Sequence, residues 1–545
     1  MMHVDGATSK MLEILVTGAE AYPAMERLIL ESEHQLCISL HALSFETSLT
    51  SREALAAGLD NWCDLLLNTA ARGVEIYLLL TDFDPVGTHQ LHAQVWNRAD
   101  VLFDALKAAP IQIAEKFHIQ IAFPGGRAGV ILQQALWLFV RRKAAELIDG
   151  TSPPARHPPG LADLLTKDNS IRPTPSKPLF SQTFHQKFLI ADNTHSIIGG
   201  LDVDPRRFDN PRHDRDAEET WHDVDIEIKG PVVRDICRHF QHSWSTAKKD
   251  GFSFLPQHLA RYYPRMRYLS AASHLEFACL EGEANDAPCP QIEFVATAGQ
   301  QKPGLLSWGS EKTTTDIEKA HIQLIGSAQH QIYIETQFLR STPIIDALVE
   351  AGKRNPSLSV ILLLPAAPED VAFGGDRSSI QRYGEWLQIK GINRLRRCYG
   401  DRFGAFCLTN DLKRAEHEER DALFGHAMVY IHSKVMLADN AIGVVSSANL
   451  NGRSLRWDFE AGLVIRAPEI ITRLRNRLWS CHLSNAERDV IESLPLEEGI
   501  SLWRKKAEQR AALKERAKGV GAVPFPYQKT ARFSFPMPFV TENMV

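Results

Sequence analysis

FHQKFLIADNTHSIIGGLD, residues 184–202, and IHSKVMLADNAIGVVSSANL, residues 431–450, are two versions of one pattern. Each opens on His-x-Lys, runs through apolar residues to an Asp, turns at Asp-Asn and resumes as a second apolar run. His-x-Lys occurs only twice among the 21 histidines of this 545-residue chain, and both times an Asp follows after four intervening residues. Chance predicts about 0.06 matches to the full pattern, and two by chance about 0.002. Each copy reads as a β-hairpin, strand–turn–strand, with the turn at Asp192-Asn193 or Asp439-Asn440.

The repetition extends outward. DVDIEIKGP (223–231) aligns with EAGLVIRAP (460–468), each a strand closing on basic-small-Pro and leading into a helix, over 232–245 and 469–480. Upstream, the apolar runs 36–40 and 74–80 have counterparts at 332–334 and 360–364. Helical stretches over 52–71 and 341–353 separate the members of each pair. Strands alternating with helices predict an α/β fold. The whole is a duplication with a period of roughly 240 residues, far beyond solenoid spacing. Two similar domains, each a mixed, mostly parallel sheet flanked by helices, are expected to face each other about a pseudo-twofold axis. The expected boundaries are 1–250 for the first domain, 251–310 for a linker and 311–485 for the second domain. Residues 486–545 should form a C-terminal helix and an extended tail. The seven prolines of Gly150–Pro178 make 150–180 a surface loop.

Composition narrows the function classes. A net charge of −5 argues against a dedicated nucleic-acid binder. The eight cysteines form no Cys-x-x-Cys pair and several lie in apolar runs, which fits reduced thiols of a cytoplasmic protein. The N-terminus shows no basic region followed by an apolar stretch, so synthesis in the cytoplasm without a Sec leader is expected. VILQQALWLFV (130–140), followed by Arg141, Arg142 and Lys143, is too short to span a bilayer and reads as an amphipathic helix packed on the protein body, with a membrane-surface helix as the alternative.

On an extended strand, residues i and i+2 share a face, so His185 projects with Lys187 and His432 with Lys434. An imidazole beside an ammonium suits attack on a phosphodiester: Lys neutralises the anionic oxygens while His adds to phosphorus or donates a proton. A nucleophilic His needs a carboxylate on its other ring nitrogen. The duplication nominates Asp223 and Glu460, which hold equivalent places.

These residues resemble the phospholipase D superfamily. The likeness lies in 185–202, in WHDVDIEIKGP (221–231), in YIETQFLRS (333–341) and in 431–460, within a span covering most of 30–480. Gly-Gly-Leu-Asp (199–202) and the RFDNPRH loop (207–213) resemble true phospholipases D more than the short endonuclease branch. The resemblance implies that His185 is the nucleophile and His432 the acid and base. It implies that Glu460 orients His185 and Asp223 orients His432 across the interface. Asp192 and Asp439 would be structural, tying loops and lysines. Ser447 and Asn449 match a phosphate-holding Gly-Ser-x-Asn turn in which Ser446 replaces Gly, while the first half offers Gly200 and Asp202. Glu335 and Gln337 fit either the cleft wall or a core hydrogen-bonding role. No metal or cofactor is implied.

The expected reaction is hydrolysis of a glycerophospholipid at a membrane surface to phosphatidic acid and free head group. Water or a primary alcohol would be the acceptor, and a monomeric pseudo-dimer the catalyst. A cardiolipin-synthase-type phosphatidyltransferase, a phosphodiesterase acting on nucleic acid and a non-catalytic binder of anionic lipid remain alternatives. Lipid chemistry without a leader also suggests a bacterial effector exported by another route.

Overall fold

The computed structural model describes residues 11–148, 157–166, 170–173, 182–249, 291–302, 304–307, 309–483, 488–513, 519–537 and 540–545. Most of the Pro-rich loop, the linker up to residue 290, and Cys279 and Cys289 lie outside the described residues.

Seven strands build the first sheet: β1 (Leu12–Val16), β2 (Gln35–Leu40), β3 (Glu75–Thr81), β4 (Phe117–Ala122), β5 (Phe188–Ala191), β6 (His195–Gly199) and β7 (Val224–Lys229). The second sheet takes β8 (Ile292–Gln301), β9 (Ser310–Thr315), β10 (Gln331–Glu335), β11 (Ser359–Leu363), β12 (Phe403–Lys413) and β13 (Ala422–Leu423). It is completed by β14 (His426–Val429), β15 (Val435–Ala438), β16 (Ile442–Ser446), β17 (Glu460–Ile465) and β18 (Gly521–Pro524). The first sheet runs β1-β7-β6-β5-β2-β3-β4, and the second contains the same order as β8-β17-β16-β15-β10-β11-β12. The duplication is therefore topological as well as sequential. The second sheet adds β9 at one edge, and β14, β13 and β18 around β12.

Both sheets are mixed, and antiparallel pairs outnumber the parallel ones expected from the sequence. Only β2-β3-β4 and β10-β11-β12 are parallel. The hairpins impose this: Asp192–Thr194 and Asp439–Ala441 are three-residue turns, which can join only antiparallel strands. Asp192, Asn193 and Asp439 have φ values of 50, 57 and 52°, a left-handed conformation that Asp and Asn tolerate better than other non-glycine residues.

Alternation partitions the core. Val360 and Leu362 of β11 join one apolar cluster, with helices Asp316–Ser327 and Thr342–Arg354. Ile361 and Leu363 join the other, with helices Pro468–His482 and Gly499–Ala511. A strand with both faces covered reads as a continuous apolar run, which is why 360–364 carries no polar residue.

Three expectations are corrected. The helix predicted over 52–71 is two, Arg52–Ala56 and Trp62–Ala71, because Gly58 turns at φ 74° and Asn61 caps the second through Asp64 N–H at 3.0 Å. The linker predicted over 251–310 includes β8 and the start of β9, which extend the second sheet beyond β17. The strands predicted over 184–191 and 431–438 begin only at Phe188 and Val435, because the preceding residues leave their sheets to pair with the opposite half.

The C-terminal helix is locked by Trp503, which is fully buried among Tyr333, Phe406 and Trp479 with ring centroids 5.3–5.9 Å apart. Trp503→Ala should cost about 3–5 kcal/mol. A chemical-denaturation midpoint unchanged from the parent chain would show that this helix adds nothing to the fold.

Candidate active site

Two isolated bridges tie the halves together at the motifs, Phe184 with Phe459 and His222 with Ile431. The His185 N–H donates to Phe459 O at 2.9 Å, and the Phe459 N–H to Thr183 O at 3.0 Å. The equivalent pair follows: His432 N–H to His222 O at 2.8 Å, and His222 N–H to Tyr430 O at 2.9 Å. The residue after each bridging one is the nominated acid. His185 Nδ1 meets Glu460 Oε2 at 3.0 Å, and His432 Nδ1 meets Asp223 Oδ2 at 2.6 Å. Assigning the Nδ1 proton to these bonds leaves each Nε2 with a free lone pair.

The lysines fold back on their own motifs. Lys187 Nζ donates to His185 O at 2.7 Å, and Lys434 Nζ lies 2.8 Å from His432 Nδ1. Lys187 also stands 3.7 Å from Asp202 Oδ2. The Asp202 carboxylate, expected at the phosphate, is engaged by the protein itself. It accepts the His41 and Ala42 N–H groups at 2.8 and 2.9 Å and pairs with Arg207. Burial opposes its ionisation, but Lys187 and Arg207 hold it well below the usual carboxylate range, and such an anion would repel a phosphate. Its work is to hold cations. Asn449 occupies the equivalent place in the second half, so Lys434 lacks that matched carboxylate.

The pocket is asymmetric in its small residues too. Ser447 Oγ donates to Glu460 Oε2 at 2.5 Å, and Asn449 Nδ2 to Gln337 Oε1 at 3.0 Å. Gln337 in turn donates to the Tyr430 hydroxyl at 2.8 Å. Gly200 stands opposite Asp223: a Cβ there would lie 2.1 Å from Asp223 Oδ1. The Asp223 carboxylate thus fills the room that a side chain at 200 would need.

Asp192 and Asp439 do not enter the cleft. They sit at the far ends of β5 and β15, where Asp192 accepts backbone N–H groups of Glu33, His34 and Gln35 at 2.8–2.9 Å. Asp439 does the same for Gln329, His330 and Gln331. They fasten the motif strand to its neighbour, at a distance from the lysines.

Three further residues reach the site: His41 lies outside every quoted stretch, whereas Trp221 and Arg207 open quoted stretches but carry no assigned role there. His41 packs edge-on against His185, ring centroids 4.7 Å apart. Trp221 lies against the His432 ring at 4.5 Å, and Arg207 covers Trp221 at 4.8 Å. Arg207 belongs to the charged loop after the first motif, anchored by Asp209, whose Oδ2 accepts from Trp221 N–H and contacts His213 Nδ1, each at 2.6 Å.

Behind His432 lies a buried hub. Glu335 takes Tyr333 OH at 2.6 Å and His482 Nε2 at 2.9 Å on one oxygen, and His222 Nε2 at 3.1 Å with Ser433 Oγ on the other. Of the two roles expected for Glu335, the core one holds. His222, Glu335 and His482 converge as metal ligands would, but four protein groups already engage the carboxylate. Burial drives His482 down to about 4, so it is a neutral donor.

The cleft places charge where water is scarce. Burial first, then Lys187 and Lys434, holds His185 well below its usual value. Burial first, then Lys434, Arg207 and Lys187, does the same to His432. Each histidine thus feels the lysine of the other motif. Burial pushes Lys434 down to about 7 and Glu460 up to about 7. Glu460 titrates near 4.5 when unfolded, so the folded chain holds that proton more tightly. The stabilisation this gives is complete below pH 4.5 and disappears as pH rises through 7. Glu460→Gln removes the titration. The variant should gain stability over the parent between pH 5 and 8, by something on the order of 2 kcal/mol. Parallel melting-temperature profiles across that range would contradict the shift.

A family model described as "Cardiolipin synthase, PLD-like domain" matches residues 321–482. Phospholipase D2 of Bos taurus is 25% identical over 507 residues, 85% of this chain and 50% of that protein. Phospholipase D1 of Mus musculus is 24% identical over 274 residues, 46% of this chain and 24% of the relative. The chain therefore spans half or less of the length of these relatives. Among solved structures, the phosphatidylserine synthase of Haemophilus influenzae Rd KW20 superposes with a TM-score of 0.49 at 12% identity, covering 93% of this chain and 96% of that one. With two His-x-Lys motifs meeting across two topologically matched sheets, and relatives of that kind, this chain belongs to the phospholipase D superfamily.

Proposed function

We propose that the chain is a phosphodiesterase that cleaves glycerophospholipids to phosphatidic acid and a free head group through a phosphohistidine. The observation that carries this reading is the crossed pair of His–carboxylate contacts, Glu460 on His185 and Asp223 on His432, in one cleft with two lysines and Arg207.

His185 Nε2 attacks phosphorus as the bond to the head-group oxygen breaks, and His432 delivers a proton to that oxygen. Glu460 stabilises the cation forming on His185. Water then loses a proton to His432 and attacks phosphorus, breaking the P–N bond and releasing His185. The two inversions give net retention. What favours His185 as the nucleophile is access: its side chain is 16% exposed against 6% for His432, which Trp221 covers. In the free protein burial and the lysines keep both rings neutral. A phosphodiester brings negative charge into that field, so His432 gains its proton as substrate binds. Lys187, Lys434 and Arg207 neutralise the non-bridging oxygens.

Phosphatidyl transfer is a second reading, favoured by the family model's description. The phosphohistidine is common to both, and only the acceptor differs.

A phosphatidyl ester of p-nitrophenol tests the division of labour, since its leaving group needs no proton. His432→Ala should release about one equivalent of p-nitrophenol and then stall, with the phosphoryl group on His185. His185→Ala should show no burst and lose at least about 10³-fold in steady turnover. A phosphoryl group found on residue 432 would reverse the roles. With a natural phospholipid and ethanol, phosphatidylethanol should appear beside phosphatidic acid. Cleavage of plasmid DNA with no lipid product would discard the lipid reading.

A further inference from the structure

The helix Val130–Leu147 is apolar on the side it should show to water. Its inner face packs Trp137 and Ala144 against Val86, Leu161 and Leu164. The outward face carries Ile131 and Leu138, two turns apart, with Val130 and Phe139 beside them, 47–75% exposed. Leu305 and Leu306, 63 and 65% exposed, extend this surface from the second half. They are held there because Gly129 N–H donates to Ser307 O at 2.7 Å and Ile131 N–H to Leu305 O at 3.1 Å. A surface helix ordinarily presents polar residues outward, and six clustered exposed apolar side chains mark an interaction surface.

The patch adjoins the cleft. Gly126, at the entry to the helix, donates to Gln182 Oε1 at 2.7 Å, and Gln182 Nε2 donates to Trp457 O at 2.7 Å. Gln182 lies three residues before His185 in the chain. The apolar surface therefore starts at the rim that a substrate entering toward His185 would pass.

We infer that this surface is a monolayer-docking face for an anionic phospholipid bilayer, an inference that rests on the lipid reading of the cleft. The charges choose the occupant. Arg141 and Arg142 follow the apolar face by one turn, and Arg127 and Lys302 flank its start, all exposed. A second copy meeting the same surface about a twofold would bring those cations against their own equivalents. Lipid head groups accept them, and apolar residues with basic flanks are the composition of a helix lying in the interface plane. Among the described residues no helix is long and apolar enough to cross the membrane, so the helix lies on the bilayer.

Sedimentation of the full chain with sucrose-loaded vesicles tests this, using phosphatidylcholine alone and phosphatidylcholine with about one-third phosphatidylglycerol. The parent should bind the anionic vesicles and release them as salt rises. Leu138→Ser/Phe139→Ser and, separately, Arg141→Glu/Arg142→Glu should each weaken binding at least about tenfold. Melting curves, and turnover of a short-chain phospholipid kept monomeric, should stay at parent values. Parent-like sedimentation of both variants overturns the proposal, as does a dimer that dissolves on Leu138→Ser/Phe139→Ser. If patch-dependent binding occurs but no lipid is cleaved, the lipid reading falls and the docking face stands. If lipid is cleaved but the variants bind as the parent does, the docking face falls and the lipid reading stands.

Discussion

Each motif histidine is fixed by the half of the molecule to which it does not belong. His185 gives its N–H to Phe459 and its ring to Glu460, and His432 gives its N–H to His222 and its ring to Asp223. Backbone and side chain are gripped by adjacent residues of one opposing segment. The orientation of the imidazole is therefore as rigid as the contact between the sheets. Other features follow from this constraint. The motif segment must leave its sheet before the strand starts at Phe188 or Val435, and the strand must be anchored at its far end. Asp192 and Asp439 supply that anchor by capping three backbone N–H groups each. They act on the site only through the strand.

The same geometry explains why the cleft opposes its own folding. Bringing two imidazoles, two ammonium groups and two carboxylates together in a buried seam forces their charges to compete with desolvation. Lys434 falls to about 7 and Glu460 rises to about 7, both through burial. A phosphodiester would bring negative charge to these lysines, so the site is more favourable with substrate than without. Asp202 is the exception, an anion saturated by Arg207, Lys187 and two N–H groups. It favours the charged form of Lys187, whereas Lys434, with Asn449 at the matching place, depends chiefly on Asp223.

The duplication makes much of this legible in the sequence. Repeating His-x-Lys fixed where the strands turn, and repeating the strands 223–231 and 460–468 singled out one acid in each half. Those signals are local and periodic, and a chain that repeats them states them twice. What stayed hidden depends on contacts with no spacing rule. Asp202 looked like a phosphate ligand because it shares a position with Asn449, but position does not reveal that Arg207 would fold back onto it. His41 follows β2 in a segment with no motif, and only the packing of β2 beside β5 brings it to His185. The strands β8 and β9 are hard to read because a turn-rich stretch precedes them, Glu293, Thr297 and Gly299 interrupt the apolar residues of the largely buried β8, and β9 is polar and mostly exposed. The βαβ-like runs at 36–80 and 332–364 suggest mostly parallel sheets, but each run contributes only part of its sheet and the antiparallel pairs outnumber the parallel ones.

The middle residue of each motif shows where the two halves have diverged. Gln186 points away from the cleft into a network of uncharged groups, with its carbonyl near His239 Nε2 and Ser243 Oγ at 2.6 and 3.1 Å and its amide donating to Ser39. Burial drives His239 down to about 3, so that network carries no charge. Ser433 instead reaches the carboxylate of Glu335, which β10 presents where β2 presents Ser39. A buried anion thus stands behind His432 and a neutral amide behind His185. That difference does not set the protonation of the two rings. Asp458 and Asp202 favour a proton on His185, whereas the charges acting most strongly on His432 are the cations Lys434, Arg207 and Lys187. The divergence is one of packing: each half fills the space behind its histidine with different polar groups, and the crossed carboxylates in front of the rings stay matched.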